Sequence, residues 1–426
     1  MKKHLFLFVF VSGIFLSGCS KDEIIEKPVP TPPETGENPE EIPEETPDEA
    51  LSINFFPSET PAFMVDAGAT AETVALFYNL KAISYSKFIV GQQDAFSSFY
   101  NNNDGFSDMK KLTGSDPGML GSDFMFITDD QNNGEANNWF YQQEQLIKEK
   151  TIEAYDKGMV NIFCWHLREP YEGDDFYTSE MTAFQKENAF KSILPGGANH
   201  DYYKQKLQKV AEFAKGLKGT DGSVIPIIFR PFHEFDKDFF WWGAPYSTPQ
   251  EFISLWRFTV EYLRDDLGVN NILYAFSPDN SYSTTTSYLQ RYPGDEYVDI
   301  VGMDNYGDLA NQQGANLAAA NQKLKVVSDL AEERVKIPGF TETGYFVSSG
   351  TTLASNFYSN NLYQVLTDNE INIGFMMFWQ NSADSYTVPA PGTDGAADFM
   401  DFVEKDKTWL LDDMPNIYDL PEDNNA

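Results

Sequence analysis

IIFRPFHEFDKDFFWWG, residues 227–243, begins as a buried strand and ends as something else. Ile227, Ile228 and Phe229 are apolar on both faces, which is how a strand reads when helices cover one side and a core fills the other. Arg230, His233 and Glu234 follow at once, and then four rings, Phe239, Phe240, Trp241 and Trp242. Placing a histidine and a carboxyl where a strand leaves its core is expensive in desolvation. The arrangement therefore points to a site at the C-terminal end of this strand.

The same design recurs along the chain. Short apolar runs open at Lys87 (KFIVGQQDA), Gly118 (GMLGSDF), Met159 (MVNIFCWH), Val224 (VIPIIFRPFHE), Asn271 (NILYAFSPDN), Tyr297 (YVDIVGMDNY), Lys336 (KIPGFTETG) and Ile373 (IGFMMFWQN). Amphipathic stretches of helical period separate most of them, at 138–157, 202–217, 249–267, 315–334 and 355–368, with a first helix expected over 69–86. Strands of this kind alternating with helices indicate a parallel sheet covered by helices. Eight of them over this length predict an α/β fold, a closed (β/α)8 barrel spanning 54–426. Nearly every run ends in polar or aromatic residues: Gln93 and Asp94, Asp123, Trp165 and His166, His233 and Glu234, Asp279 and Asn280, Asp304 and Tyr306, Glu342, and Trp379 with Gln380 and Asn381. A barrel gathers those ends on one face. Of the four histidines, two, His166 and His233, fall at strand ends, and with carboxyls nearby both read as site residues.

Composition narrows the partners. A formal charge of −35 repels nucleic acid and anionic membranes, so a neutral substrate fits better, and no cofactor or metal is expected. Aromatics at 15% supply rings of the kind that stack on sugar faces, although rings also fill cores. The opening MKKHLFLFVFVSGIFLSGCS reads as a secretory leader over 1–18, too short for a membrane span. Its LSGC ending resembles a bacterial lipobox, which implies lipidation of Cys19. The SKDE that follows resembles the surface-export signal of Bacteroides-type lipoproteins, which implies an outer-membrane lipoprotein facing the cell surface, or else the periplasm. Residues 19–53 then form a disordered tether rich in proline and glutamate. The lipid would be the only membrane contact, and a monomer is expected. The one other cysteine, Cys164, lies inside an apolar run, so no intramolecular disulfide is expected.

RPFHE followed by FFWWG resembles the acid/base motif of glycoside hydrolase family 26, a family of retaining β-mannanases and related enzymes on this barrel. VGQQDA, LGSDF, WH, VGMDNY and TETG resemble its strand-end signatures in the same order, over about Ala67 to Asp401. The resemblance implies Glu234 as general acid/base, Glu342 as nucleophile, Tyr306 as the contact of the nucleophile, and Asp304, His166, His233 and Trp379 as residues around the sugar being cleaved. Retaining glycosidases hold their two carboxyls about 5–5.5 Å apart, and one of such a pair keeps its proton. The rings after Glu234 would raise its pKa by excluding water; Trp241 and Trp242 are expected to stack on sugar, with Phe240 a hydrophobic plug. Adjacent strand residues face opposite ways, so His233 and Glu234 reach one cleft only if the chain kinks at 232–234. Arg230 has two readings, a brace on a site carboxylate or an ion pair beneath the floor.

Two positions depart from the family pattern. Phe239 stands where a tryptophan is usual, on the leaving-group side, and Gln380 stands where many mannanases carry arginine, so sugar contacts there differ. The leading expectation is a retaining endo-β-1,4-mannanase acting on mannan, glucomannan or galactomannan. A mixed-linkage β-glucanase or β-xylanase of the same family, and a non-catalytic glycan-binding lipoprotein, are the alternatives. A metal-dependent hydrolase would gather histidines, often as H-x-H, and no H-x-H occurs. The stretch TDDQNNGEANN, Thr128–Asn138, aligns with a calcium loop only until its twelfth position, which is Phe140, and reads as a substrate-side loop.

Overall fold

The computed structural model describes residues 53–101, 105–310 and 314–423. The expected leader, lipidated Cys19 and acidic tether lie outside them. Each of the eight apolar runs forms one strand: β1 (Phe88–Gln93), β2 (Met119–Asp123), β3 (Val160–Cys164), β4 (Ile227–Arg230), β5 (Ile272–Phe276), β6 (Ile300–Asp304), β7 (Ile337–Thr343) and β8 (Phe375–Phe378). Every strand runs parallel to the next. β8 returns to β1 through Ile89↔Phe375 to Gln92↔Phe378, which closes the barrel and removes its edges.

The period-two alternation decides what each strand residue meets. Ile89, Met119, Val160, Ile228, Leu273, Ile300, Ile337 and Phe375 point inward and form one cluster with Leu76, Phe77 and Leu80 of the helix Ala71–Ser84. That helix is apolar on nearly all sides because it closes the N-terminal end of the barrel. The alternate residues, among them Val90, Phe163, Phe229, Tyr274 and Met376, pack outward under the helices. The interior is filled. A Cβ on Gly91 would lie 2.2 Å from the Met377 sulfur and 2.7 Å from the Met119 Cβ, so only glycine lets those side chains meet there.

The expected helices appear as Ala71–Ser84, Trp139–Asp156, His200–Gly216, Pro249–Glu261 and Gly314–Glu333. The stretch expected as a helix over 355–368 is helical from Phe357 to Thr367, opening as a π-helix, Phe357–Leu362, that runs directly into the α-helix Tyr363–Thr367. Asp398 accepts the Tyr358 and Ser359 backbone N–H groups (2.6 and 3.1 Å), and this outside partner fixes the start of the segment. A further helix, Ala183–Ile193, escaped the periodicity reading, although its capping box, Thr182 with Gln185, is visible in the sequence. Cys164 is buried and unpaired, as expected.

Candidate active site

Strand β4 stops at Arg230, four residues short of Glu234. Between them the chain turns sharply. Phe232 and Glu234 sit at φ of 51° and 54°, a left-handed conformation that non-glycine residues rarely adopt and that persists only where the surroundings impose it. The imposing contacts are visible. Phe232 is pressed into the outer core against Phe252 and Trp256, and the Glu234 N–H donates to the Ser277 carbonyl at 3.0 Å. The kink expected from the HE dipeptide is therefore present.

β7 solves the same problem by another route. Thr341 and Glu342 are neighbours, yet both act inside the barrel. The register of β7 shifts between Phe340 and Thr343 against β8, and that of β6 shifts between Met303 and Asp304. Such irregularities re-aim side chains beside active sites. Thr341 Oγ1 donates to Asp304 Oδ1 (2.7 Å), while Glu342 is held at both oxygens: Arg230 Nη2 donates to Oε2 and the Tyr306 hydroxyl to Oε1 (2.8 Å). Arg230 Nη1 donates to Asp304 Oδ2. Both readings of Arg230 hold, since one guanidinium braces Glu342 and anchors on a carboxylate below it.

Glu234 makes no ion pair with any cation among the described residues. Burial pushes its carboxyl well above the usual range, and the charges of Glu342, Asp304 and Asp279 push further, with Arg230 opposing. The charge of Glu342 is felt at Glu234, so the carboxyls after β4 and in β7 lie within electrostatic reach; Glu342 is clamped at both oxygens, while burial raises the proton affinity of Glu234. Asp279 is itself pushed up to about 7, by burial first, although Lys237 Nζ lies 3.7 Å from its carboxylate.

Four expected sugar contacts are corrected, the fourth being His233, which is 1% exposed and packs behind His166. Asp304 is 0% exposed and engaged by Arg230 and Thr341, so it anchors Arg230 and cannot meet a ligand. Trp241 and Trp242 are also 0% exposed, and their indole N–H groups donate to the carbonyls of Leu167 (2.8 Å) and His233 (2.7 Å). They are core residues that fasten the loop, as is the expected plug Phe240. A sequence cannot separate a ring that lines a cleft from one that backs it. We expect Trp242→Ala to lower the unfolding free energy by about 3–5 kcal/mol, read by chemical denaturation; a loss below about 1 kcal/mol would show that the indole does not carry the loop.

The other expected positions divide by exposure. His166 lies beside the site with Nδ1 2.6 Å from Asp123 Oδ2, and its backbone N–H donates to Asp123 Oδ1 (3.1 Å). His233, 1% exposed, stands edge-on to His166 at 4.7 Å and buttresses it from behind. Burial, with Arg230 and His166 nearby, keeps its imidazole neutral. Trp379 and Gln380 are half-buried, and Trp379 lines a small cavity of about 10 Å³ with Gln93, Arg230 and Glu342. Phe239 is half-buried, edge-on to Phe240 at 4.7 Å. Tyr177, from the loop after β3, was not singled out by sequence. It is half-buried and stacked on Phe240, and no local pattern marks it.

In both metal-like groupings protein donors already engage several of the candidate ligand atoms. Asp123, Cys164 and His166 come within 4.8 Å of one another, but the histidine Nδ1 and the carboxylate engage each other, and burial holds the thiol protonated. In the loop 128–138, Asp129 accepts from Arg168 and Asp130 from Lys206 and Tyr202, so protein donors take the place a cation would have.

Fold and site together define a (β/α)8-barrel protein with two carboxyls at its strand ends, one clamped at both oxygens and one whose pKa burial raises. The chain matches the profile of glycosyl hydrolase family 26 over residues 65–374. It belongs to that family. It is 33% identical over 361 residues to the mannan endo-1,4-beta-mannosidase of Bifidobacterium adolescentis, a match covering 81% of this chain and 35% of that protein. The chain spans about a third to a half of the length of the curated mannosidases it matches. Among solved structures it is similar to GH26C from Muricauda sp. (61% identity, TM-score 0.87, 88% of this chain and 100% of that one). It is also similar to the GH26 beta-mannanase BoMan26A from Bacteroides ovatus (29% identity, TM-score 0.73, 84% and 100%).

Proposed function

We propose that the protein is a retaining endo-β-1,4-mannanase that cleaves internal bonds of mannan, glucomannan or galactomannan. The observation that carries this reading is the unequal treatment of two carboxyls: Glu342 held by Arg230 and Tyr306, Glu234 buried without a cation. The mannosidase relatives supply the substrate class.

In the first step the Glu342 carboxylate attacks the anomeric carbon, the glycosidic C–O bond breaks, and its electron pair leaves on the departing oxygen, which takes the proton of Glu234. In the second, Glu234, now a carboxylate, removes a proton from water; the water oxygen attacks the same carbon and Glu342 departs. Two inversions give net retention. Arg230 and Tyr306 keep the attacking oxygens aimed, and a neutral His233 behind His166 adds no charge that would draw the proton off Glu234. Trp379 and Phe239 supply the partly open surface near the reacting sugar, with His166 buried beside them.

The test is to incubate the folded domain with mannan, glucomannan, galactomannan, lichenan and xylan and size the products. We expect short mannan oligosaccharides to appear early and the polymer to lose length quickly. Faster cleavage of lichenan or xylan would transfer the same chemistry to the alternative substrates, and no cleavage of any of the five would sink the enzyme reading.

A further inference from the structure

Asp123 ends β2 in register with Cys164 at the end of β3, which sets its carboxylate beside the chain as that chain runs on to His166. The two carboxylate oxygens have different partners. Oδ1 accepts two backbone N–H groups, those of Met125 at 2.9 Å and His166 at 3.1 Å. Oδ2 faces the imidazole, 2.6 Å from His166 Nδ1. The imidazole is confined as well, with the rings of Phe176, His233 and Phe240 at 4.9, 4.7 and 5.3 Å from it, centroid to centroid. Both partners of the Asp123–His166 contact are therefore held in one orientation.

The hydrogen bond at one imidazole nitrogen decides which nitrogen carries the proton. An ionised carboxylate only accepts, so the proton of the neutral ring sits on Nδ1 and Nε2 keeps its lone pair. The neighbouring carboxyl, Asp94 at the end of β1, gives up its charge instead: burial and then the charge of Asp123 push it up to about 7, with Gln93 and His166 opposing. Among the described residues no protein group is hydrogen-bonded to His166 Nε2, and this atom is not sealed off as His233 Nδ1 is. The ring stands at the edge of the site. Cys164, with its Sγ 3.9 Å from Nδ1, and Trp379, with its ring 6.2 Å from the imidazole, both line the small cavity bordered by Glu342 and Arg230.

We infer that Asp123 is a positioning residue: it fixes His166 in the tautomer with the proton on Nδ1, and so presents Nε2 to substrate as a hydrogen-bond acceptor. A sugar hydroxyl can donate to such a lone pair, and no charge is added beside the two glutamates. Only the expected effect on catalysis rests on the proposed glycan-cleaving reading; the tautomer does not.

The test is Asp123→Asn. The Met125 and His166 N–H groups still require an oxygen at the Oδ1 position, so the new NH2 group must face Nδ1 as a donor. That drives the ring proton to Nε2 and turns the acceptor into a donor. With nitrogen-labelled histidine in the full chain, long-range proton–nitrogen NMR above the ordinary imidazole pKa reads the tautomer, and the His166 signal is the one missing from His166→Ala. We expect the Nδ1–H form in wild type and the Nε2–H form in Asp123→Asn, at an unchanged melting temperature. On the polysaccharide that wild type cleaves fastest, kcat/KM is expected to fall by about tenfold or more. In a His166→Ala background the same substitution is expected to cost nothing further. An Nε2–H tautomer in wild type would overturn the inference whether or not the variant folds. A variant that keeps the wild-type tautomer, stays within twofold of wild-type activity, or loses as much again without His166 would overturn it too, the last being what a purely structural carboxylate would do. Because the tautomer is read without substrate, it and the enzyme reading can fail separately.

Discussion

Glu342→Ala is expected to lower kcat by about four orders of magnitude or more while leaving the fold intact. Removal of a nucleophile that acts as a unit with its partners costs on this scale. The substitution also leaves Arg230 Nη2 and the Tyr306 hydroxyl without their acceptor. Arg230 keeps Asp304, so the buried guanidinium remains paired and the barrel floor holds. A second consequence separates this view from a purely structural role. The charge of Glu342 is the second cause, after burial, of the raised pKa of Glu234. Taking it away in Glu342→Gln is expected to lower the Glu234 pKa, so that in a carboxyl titration followed by NMR the Glu234 signal moves at lower pH than in wild type. A Glu342→Ala protein that hydrolyses polysaccharide at the wild-type rate would refute the assignment outright.

Glu234→Ala is expected to be nearly as damaging on natural polysaccharide, with a loss of about 10²–10⁴-fold, the usual worth of general acid–base catalysis. The loss has a signature. It should shrink sharply on an aryl glycoside whose leaving group departs without a proton, because Glu234 then matters only to the second step. The sign of the pH dependence follows from the direction of the shift. A general acid acts in its protonated form, and burial holds the Glu234 proton on to a higher pH than an ordinary glutamate. The alkaline limb of wild-type activity is therefore expected above the ordinary carboxyl range and should flatten in Glu234→Ala on the activated substrate. Equal losses on both classes of leaving group would remove Glu234 from the acid role.

How far the sequence reached can be judged from particular residues. The eight strands were legible because a strand buried on both faces has to be apolar throughout, and such runs stand out against amphipathic helices. Glu234 and Glu342 stood out among the strand-end polar residues because a carboxyl directly after such a run is costly to desolvate, whereas their pairing and roles came from the resemblance to the family. The kink at 232–234 followed from pleat geometry. The β7 irregularity at Thr341 and Glu342 did not, since nothing local tells which of two neighbouring polar residues must turn inward. Asp304 shows a different limit. A polar residue at a strand end looks the same whether it meets ligand or a buried arginine, and only the three-dimensional position of Arg230 decides. Trp241 and Trp242 failed similarly, because a ring's apolar area suits a core and a sugar equally. Tyr177 was out of reach for a topological reason: its partner Phe240 is more than sixty residues away, and the bridge between them has no counterpart in periodicity.

All of this chemistry depends on Glu342 forming a covalent bond to the sugar. The direct measurement is to treat the protein with a 2-deoxy-2-fluoro glycosyl fluoride built on a mannan oligosaccharide, digest it, and locate the adduct by mass spectrometry. A single glycosyl adduct on the peptide carrying Glu342 is the expected result. An adduct on another carboxyl, or no adduct together with an inverted anomer in the first product seen by NMR, would contradict it.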